Sequence, residues 1–239
     1  MAVEITTHTM VRDEINTVLY GIASLAPIVK RCLVTDTGST DGTWEALNEL
    51  KELFPQIEIE RVVVPDSRDW GWNDNTLTIN FEQTEALASI RQSHIDKTET
   101  DVCWLLDGDE VYCEGTIKRI KYFLYDLEKA IYVPFLHFAQ DHEHTAYGFP
   151  FYGRIFATEG LSIQGKYPDE QHCSNGDPLF PNSEGVMTLT PDIIHPVHHY
   201  QMVYKPHRRN LRDVIPYQGI QPEVFSDERI KDLIKRNRI

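Results

Sequence analysis

Cysteine is scarce in this chain of 239 residues, and Cys32, Cys103, Cys113 and Cys173 show no paired spacing such as Cys-Xaa-Xaa-Cys. Two of them fall inside apolar runs, where a free thiol behaves as a small hydrophobe. Reduced cysteines and an intracellular setting are therefore expected, not a disulfide framework. Long apolar runs are missing too. No run of about 18 apolar residues occurs, and the opening Met1-Ala2-Val3-Glu4-Ile5-Thr6-Thr7-His8 lacks a signal-type apolar segment. These absences predict a soluble, cytoplasmic protein with no transmembrane segment. Positive charge is in short supply, with 23 Lys and Arg against 37 Asp and Glu and a net charge of −14. That balance argues against nucleic acid or an anionic membrane surface as a general partner. No internal repeat or low-complexity segment appears. What remains is ordinary for a globular protein, with 41% hydrophobic and 25% charged residues. The length suits one domain with a large core and a small appended element.

The most informative stretch is 101–112, where the apolar run Val102 to Leu106 stops abruptly at Asp107-Gly108-Asp109-Glu110. A short apolar run bounded by turn residues reads as a buried strand, and its C-terminal end is where open α/β sheets bind ligands. Clustered carboxylates repel one another, and a divalent cation would relieve the strain. Oxygen ligands suit Mg²⁺ or Mn²⁺ better than zinc. The plain alternative is an exposed Asp-Gly turn.

A second strand end has the same character. Cys32 to Val34 leads into Asp36-Thr37-Gly38-Ser39-Thr40-Asp41-Gly42-Thr43, and helical spacing follows, with positions 46, 47, 50, 53 and 54 on one apolar face. Thr40 or Asp41 can cap that helix. A glycine-containing turn between strand and helix lets backbone N–H groups approach a phosphate or sugar closely.

Around these two turns the first half alternates strand and helix. Strands are predicted at 3–11 and 57–64, and helices at 14–25, 77–94 and 115–127. That rhythm predicts a mainly parallel sheet flanked by helices. The second half has short apolar runs at 130–136, 152–157, 161–164 and 186–189, separated by Pro, Gly and Asn, which suggests a smaller mixed or antiparallel layer. Closing helices are predicted at 204–217 and 222–238.

Taken in order, these segments resemble the family-2 glycosyltransferases. Asp36 to Thr43 is similar to the family signature, a strand ending in Asp-Xaa-Gly-Ser-Thr-Asp-Gly-Thr. Asp107-Gly108-Asp109 resembles the DXD motif of the GT-A fold, and Met10-Val11-Arg12-Asp13-Glu14 the end of its first strand. Gly153-Arg154-Ile155-Phe156 and Ile163-Gln164-Gly165 resemble acceptor-side strands, and Pro168-Asp169-Glu170 stands where many members carry His-Glu. The stretch His195 to Asn210 resembles the closing His-Tyr segment, so the resemblance spans residues 5–212.

The resemblance implies a GT-A fold over 1–215, with a nucleotide-binding half at 1–112, an acceptor-side half at 113–215, and a helical extension at 216–239. It implies transfer of a sugar from a nucleotide-diphospho-sugar donor to a carbohydrate, glycan or glycosylated acceptor, with Mn²⁺ or Mg²⁺ and inversion. Asp36 would bind the base or ribose, with Glu14 and Asp41 lining the same pocket. Asp107 would face the ribose or metal, and Asp109 would ligate the metal. One of His198 and His199, preferably His198, would complete the metal site, since strand alternation points only one of them inward. Glu170, or its neighbour Asp169, would be the general base. The chain departs from the pattern in two places. Asp36 is followed by Thr37 where two adjacent acids are usual, and Ile79-Asn80 replaces Arg-Asn, with Arg68 or Arg154 as substitutes.

Other readings of the same residues are weaker. Asp36-Thr37-Gly38-Ser39 is also the local pattern of an aspartic protease, but a helix-spaced segment follows directly and no second Asp-Thr-Gly exists. An Asp-Xaa-Asp phosphatase would need a second carboxylate at Gly38. A sugar nucleotidyltransferase would show a Gly-rich, Arg-containing loop after the first strand, absent at 8–16. A noncatalytic carbohydrate-binding or scaffold protein could keep the same sheet.

Overall fold

The structure is a computed structural model. It describes residues 2–64, 81–139, 144–146, 150–165, 171–200, 214–216 and 228–237. The first half follows the alternation read from the sequence: β1 (Ile5–Val11), α1 (Val18–Leu25), β2 (Arg31–Asp36), α2 (Thr43–Leu53), β3 (Ile57–Arg61), α3 (Phe81–Asp96) and β4 (Val102–Leu105). Strands β3, β2, β1 and β4 lie side by side in that order and all run parallel. The crossover helices needed by parallel strands cover both faces, so β1 is buried along its whole length but for one half-buried residue, Met10. Of its polar side chains, Thr6 pairs with the Thr100 hydroxyl at 2.8 Å, and His8 with Thr98 at 2.6 Å and Cys103 at 3.2 Å, while the buried Thr9 hydroxyl finds no hydrogen-bond partner among the described residues.

Beyond β4 come β5 (Glu110–Val111), α4 (Glu114–Phe123), β6 (Ala130–Ala139), β7 (His144–Ala146), β8 (Phe151–Ala157), β9 (Leu161–Gln164), β10 (Gln171–Ser174), β11 (Asp177–Pro178), β12 (Val186–Thr188) and β13 (Val197–Tyr200). A smaller mixed or antiparallel layer was expected here, and these strands do pair in mixed directions. Antiparallel β8 and β6 continue the main sheet from β4, while β9, β10 and β11 form a small antiparallel sheet of their own. Strand β13 lies between β6, which it parallels, and β5, which it opposes.

On one face of the sheet, Leu19, Ile22, Leu47, Leu50, Trp104, Ile131 and Ile155 belong to the largest core cluster. Beneath α3 a smaller cluster gathers Ile95, Cys103, Leu105 and Phe156. Gly21 lets α1 lie against β5, because a Cβ there would come within 2.5 Å of the Glu110 carbonyl oxygen. The final helix, α5 (Glu228–Asn237), turns Ile230, Leu233 and Ile234 onto α1 and α2. Residues 214–216 correct one expectation: Val214–Pro216 forms a strand, β14, paired antiparallel with β7, and not the end of a helix. Two adjacent β-branched residues followed by proline suit an edge strand and not a helix interior.

Candidate active site

The C-terminal ends of β1 and β2 are tied together by acidic side chains. Asp36 is fully buried, and its Oδ1 accepts the N–H groups of Gly38 at 2.9 Å and Ser39 at 3.0 Å. Gly38 has φ +114°, a conformation that leaves both amides turned back on the carboxylate. Arg61 approaches the same oxygen at 3.4 Å, donates to the Ser39 carbonyl at 2.6 Å and lies over the Trp44 ring. The second oxygen, Asp36 Oδ2, is buried and takes no hydrogen bond among the described residues.

Asp41, expected in the nucleotide pocket, is a staple between the turn after β1 and the start of α2. Its Oδ1 accepts from the Thr43 amide and hydroxyl at 3.0 and 2.6 Å, and its Oδ2 from the Ile15 amide at 3.1 Å. This satisfies one free N–H at the start of α2, that of Thr43, but the N-cap is Gly42 and not Thr40 or Asp41. Glu14 is buried beside the carboxylate turn, its backbone amide on the Thr43 hydroxyl at 2.9 Å. The neighbouring Asp13 holds φ +54° and accepts from the Thr40 amide at 2.7 Å, so a left-handed residue is kept in place by its own side chain.

At the end of β4 the turn Asp107 to Glu110 closes with the Glu110 amide on the Asp107 carbonyl at 3.1 Å. Gly108 fits against the end of β1 and the turn after it because there is no room for a side chain: a Cβ would meet Val11 at 2.8 Å and Glu14 at 2.9 Å. The Thr17 hydroxyl donates to the Gly108 carbonyl at 2.8 Å, and the Tyr200 amide to the Asp109 carbonyl at 2.9 Å.

The side chains of this turn diverge. Asp107 Oδ1 meets Arg91 of α3 at 2.9 Å, and Oδ2 meets Arg154 of β8 at 3.1 Å. Arg154 also grips the fully buried Glu110, through Nε at 3.0 Å and Nη2 at 2.5 Å. Its guanidinium lies over Phe135 at 4.9 Å and Tyr152 at 5.5 Å. Burial would raise the Asp107 carboxyl, but Arg91 and Arg154 overcome it and hold the group well below the usual range. For Glu110 burial wins against Arg154, with Asp107 adding to it, and the group is pushed up to about 7.

Asp109 points the other way, toward β13. In place of the expected His198, the strand presents His199, whose Nε2 lies 3.4 Å from Asp109 Oδ1. His198 is turned into the interior, with Nδ1 3.2 Å from the Tyr200 hydroxyl and its ring against Phe138. Successive side chains of a strand face opposite sides, so only one of the pair can meet the turn. His199 Nδ1 in turn lies 2.6 Å from His137 Nδ1. Burial would lower His199, yet Asp109 raises it on balance, whereas burial and then His199 push His137 down to about 3.

Among the described residues no three His, Cys, Asp or Glu side chains converge as a ready-made metal cage. Asp109 with His199 nevertheless makes an oxygen–nitrogen pair. Mg²⁺-type sites commonly take one or two protein ligands and complete their shell with phosphates and water, so this pair fits a cation bound together with a diphosphate. Asp169 and Glu170 lie outside the described residues, as do Arg68, Trp70, Trp72, Asn80 and the basic cluster Lys205, His207, Arg208, Arg209 and Arg212.

Sequence reasoning passed over Arg91. It lies on the inner face of α3 with Thr84, Ile90, His94 and Ile95, so a signal existed in a charged residue at a buried helical position. His137 carried no local signal, because only the pairing of β6 with β13 brings it to His199.

No curated protein matches the sequence. Among solved structures, S. aureus TarS is similar at 13% identity over 57% of this chain and 21% of that one, with a TM-score of 0.38. TarS 1–349 is similar at 13% identity over 65% of this chain and 47% of that one, with a TM-score of 0.42. The mannosyltransferase PcManGT from Pyrobaculum calidifontis, solved with GDP-Man and Mn²⁺, is similar at 14% identity over 55% of this chain and 35% of that one, with a TM-score of 0.38. The likeness thus spans less than half the length of each. The model of glycosyl transferase family 2 matches residues 5–176, which include β1, both acidic strand ends and the antiparallel strands through β10, and the chain belongs to that family.

Proposed function

We propose that this protein transfers a sugar from a nucleotide-diphospho-sugar to an acceptor hydroxyl of a carbohydrate or glycosylated molecule, with Mn²⁺ or Mg²⁺ and with inversion. The observation that carries the reading is the placement of Asp36 and Asp109 at the C-terminal edge of one parallel sheet, at the ends of β2 and β4 on either side of β1. That edge is where open α/β sheets bind nucleotides. Asp36 keeps one buried carboxylate oxygen for an N–H or hydroxyl of the donor, beside Glu14 and the Gly38 turn. Asp109 and His199 would hold the cation, which when bound supplies Lewis-acid neutralisation of the departing diphosphate. Glu170, or Asp169 in its place, is the proposed base that takes the acceptor proton. Four free, buried cysteines fit a reducing, cytoplasmic setting, and no helix among the described residues is long and apolar enough to cross a membrane.

Calorimetric titration with UDP and with GDP, each with and without Mn²⁺, tests the reading on the unaltered chain and on Asp109→Ala. Binding that needs Mn²⁺ and disappears in the variant is the expected result. Binding of neither nucleotide, or binding indifferent to Mn²⁺ and to Asp109, would point instead to a carbohydrate-binding or scaffold role. With a donor in hand, the anomeric configuration of the product, read by NMR, decides inversion.

A further inference from the structure

Strands β6 and β13 run parallel and set His137 opposite His199, so both imidazoles stand on one face of the sheet. Their Nδ1 atoms are 2.6 Å apart, with ring centroids at 4.6 Å and planes at 88°. His137 has neighbours of its own. Phe135, two residues earlier on the same face, lies at 6.2 Å, and Tyr152 of β8 stands edge-on at 6.0 Å. The other nitrogen of His199, Nε2, lies 3.4 Å from Asp109 Oδ1. Nitrogens as close as the two Nδ1 atoms need one hydrogen between them, because two N–H groups would collide and two lone pairs would repel. That hydrogen has two places to be. On His137 it makes His199 Nδ1 the acceptor, and a neutral His199 then carries its own hydrogen on Nε2, which turns toward Asp109 and blocks coordination. On His199 it leaves Nε2 with a bare lone pair beside Asp109, the form that ligates a cation.

We propose that His137 is the positioning residue of the cation site: its Nδ1 accepts the Nδ1–H of His199 and so holds that ring with a bare Nε2 beside Asp109. The proposal rests on the reading of His199 and Asp109 as the cation's ligands. A ligating histidine ordinarily has its other N–H held by a carboxylate, a carbonyl or water, which fixes both tautomer and ring orientation. Here a second imidazole takes that place. It accepts the hydrogen bond without adding a negative charge beside a turn that already carries Asp107, Asp109 and Glu110.

The test uses the full chain, with Mn²⁺ titrated alone, with UDP and with GDP, beside thermal unfolding of His137→Phe, His137→Asn and His199→Gln. Phenylalanine keeps the ring and loses the acceptor, whereas asparagine keeps an acceptor oxygen close to the place of Nδ1. His137→Phe should weaken Mn²⁺ binding roughly 10- to 100-fold, the usual effect of losing such a partner, with Tm no lower than that of the unaltered chain. His137→Asn should keep most of the affinity, and His199→Gln should lose it. A further measurement needs no variant: in ¹⁵N spectra of the Mg²⁺-loaded chain, His199 should carry its hydrogen on Nδ1. Unchanged Mn²⁺ affinity in His137→Phe overturns the proposal, as does an equal loss in His137→Asn or a hydrogen on His199 Nε2 in the loaded chain. Each of those results leaves the cation site standing so long as His199→Gln loses Mn²⁺. If the unaltered chain takes up no Mn²⁺, or His199→Gln binds it equally well, the cation reading of Asp109 and His199 fails and the proposal falls with it.

Discussion

Asp36 and Asp41 are carboxylates of the same chemistry, five positions apart, and their neighbours give them different work. Asp41 has both oxygens on backbone and hydroxyl donors, so Asp41→Ala removes the staple between the turn after β1 and the start of α2. Its expected cost is about 1–2 kcal/mol of stability, the order of a lost hydrogen bond to a charged group, with nucleotide affinity little changed. Asp36→Asn should do the reverse. The amide oxygen can still accept from Gly38 and Ser39, but a donor replaces the open Oδ2, so nucleotide affinity should fall by roughly tenfold or more while Tm moves little. Denaturant unfolding and nucleotide calorimetry on the two variants check both halves, and identical behaviour of the pair would defeat the distinction. Gly108→Ala is expected to cost about 1–3 kcal/mol, because the new methyl overlaps Val11 and the Glu14 stem. If its unfolding midpoint matches that of the unaltered protein, the close fit of the turn against β1 is wrong.

At the scale of elements, one strand explains why neighbouring histidines differ. In β13 the side chains alternate, so His199 meets Asp109 and His198 meets Tyr200 and Phe138. His199→Gln should therefore weaken Mn²⁺ binding and leave Tm nearly unchanged, whereas His198→Gln should lower Tm and spare Mn²⁺ binding. Mn²⁺ titration beside thermal unfolding reads both, and a swap of the two phenotypes would mean that β13 is shifted by one residue. Helix α3 likewise owes its importance to tertiary placement. Its inner face is polar for a buried surface, carrying Arg91 to Asp107 and His94 to the Thr35 hydroxyl at 2.8 Å. An amphipathic pattern alone would not have marked it as part of the site.

Across the whole molecule, burial has made an unusual set of neutral histidines. His8 is lowered well below its ordinary value, His94 and His198 to about 4, and His137 and His172 to about 3, in each case first by burial. A histidine depressed in the folded state excludes a proton that the unfolded chain binds, so stability is lost as pH falls below the unfolded value of about 6.5. Glu110, raised to about 7, acts in the opposite sense between its ordinary value of 4.5 and 7, but it is one group against five. Tm should therefore drop as pH falls from about 6.5 to about 4, before most carboxylates have titrated. Thermal unfolding at a series of pH values measures it, and a flat Tm across that window would show that these imidazoles are not held neutral.

How much was legible in the sequence follows from the range of each interaction. Local chemistry was enough for the parallel β/α half and for the two acidic strand ends, because turns and apolar periodicity act over a few residues. It was also enough for the family, whose signature lies in those same turns. It failed at 214–216, where β-branched residues next to a proline were read into a helix and pairing with β7 makes them a strand. Distant segments had to be brought together before the rest was decided. Arg91 and Arg154 reach Asp107 from 16 and 47 residues away, and His137 reaches His199 across 62. Which partners Asp107 takes, and which histidine of β13 faces the turn, therefore depended on the tertiary structure: charge pairing and burial are properties of neighbours in space, and the sequence lists only neighbours along the chain.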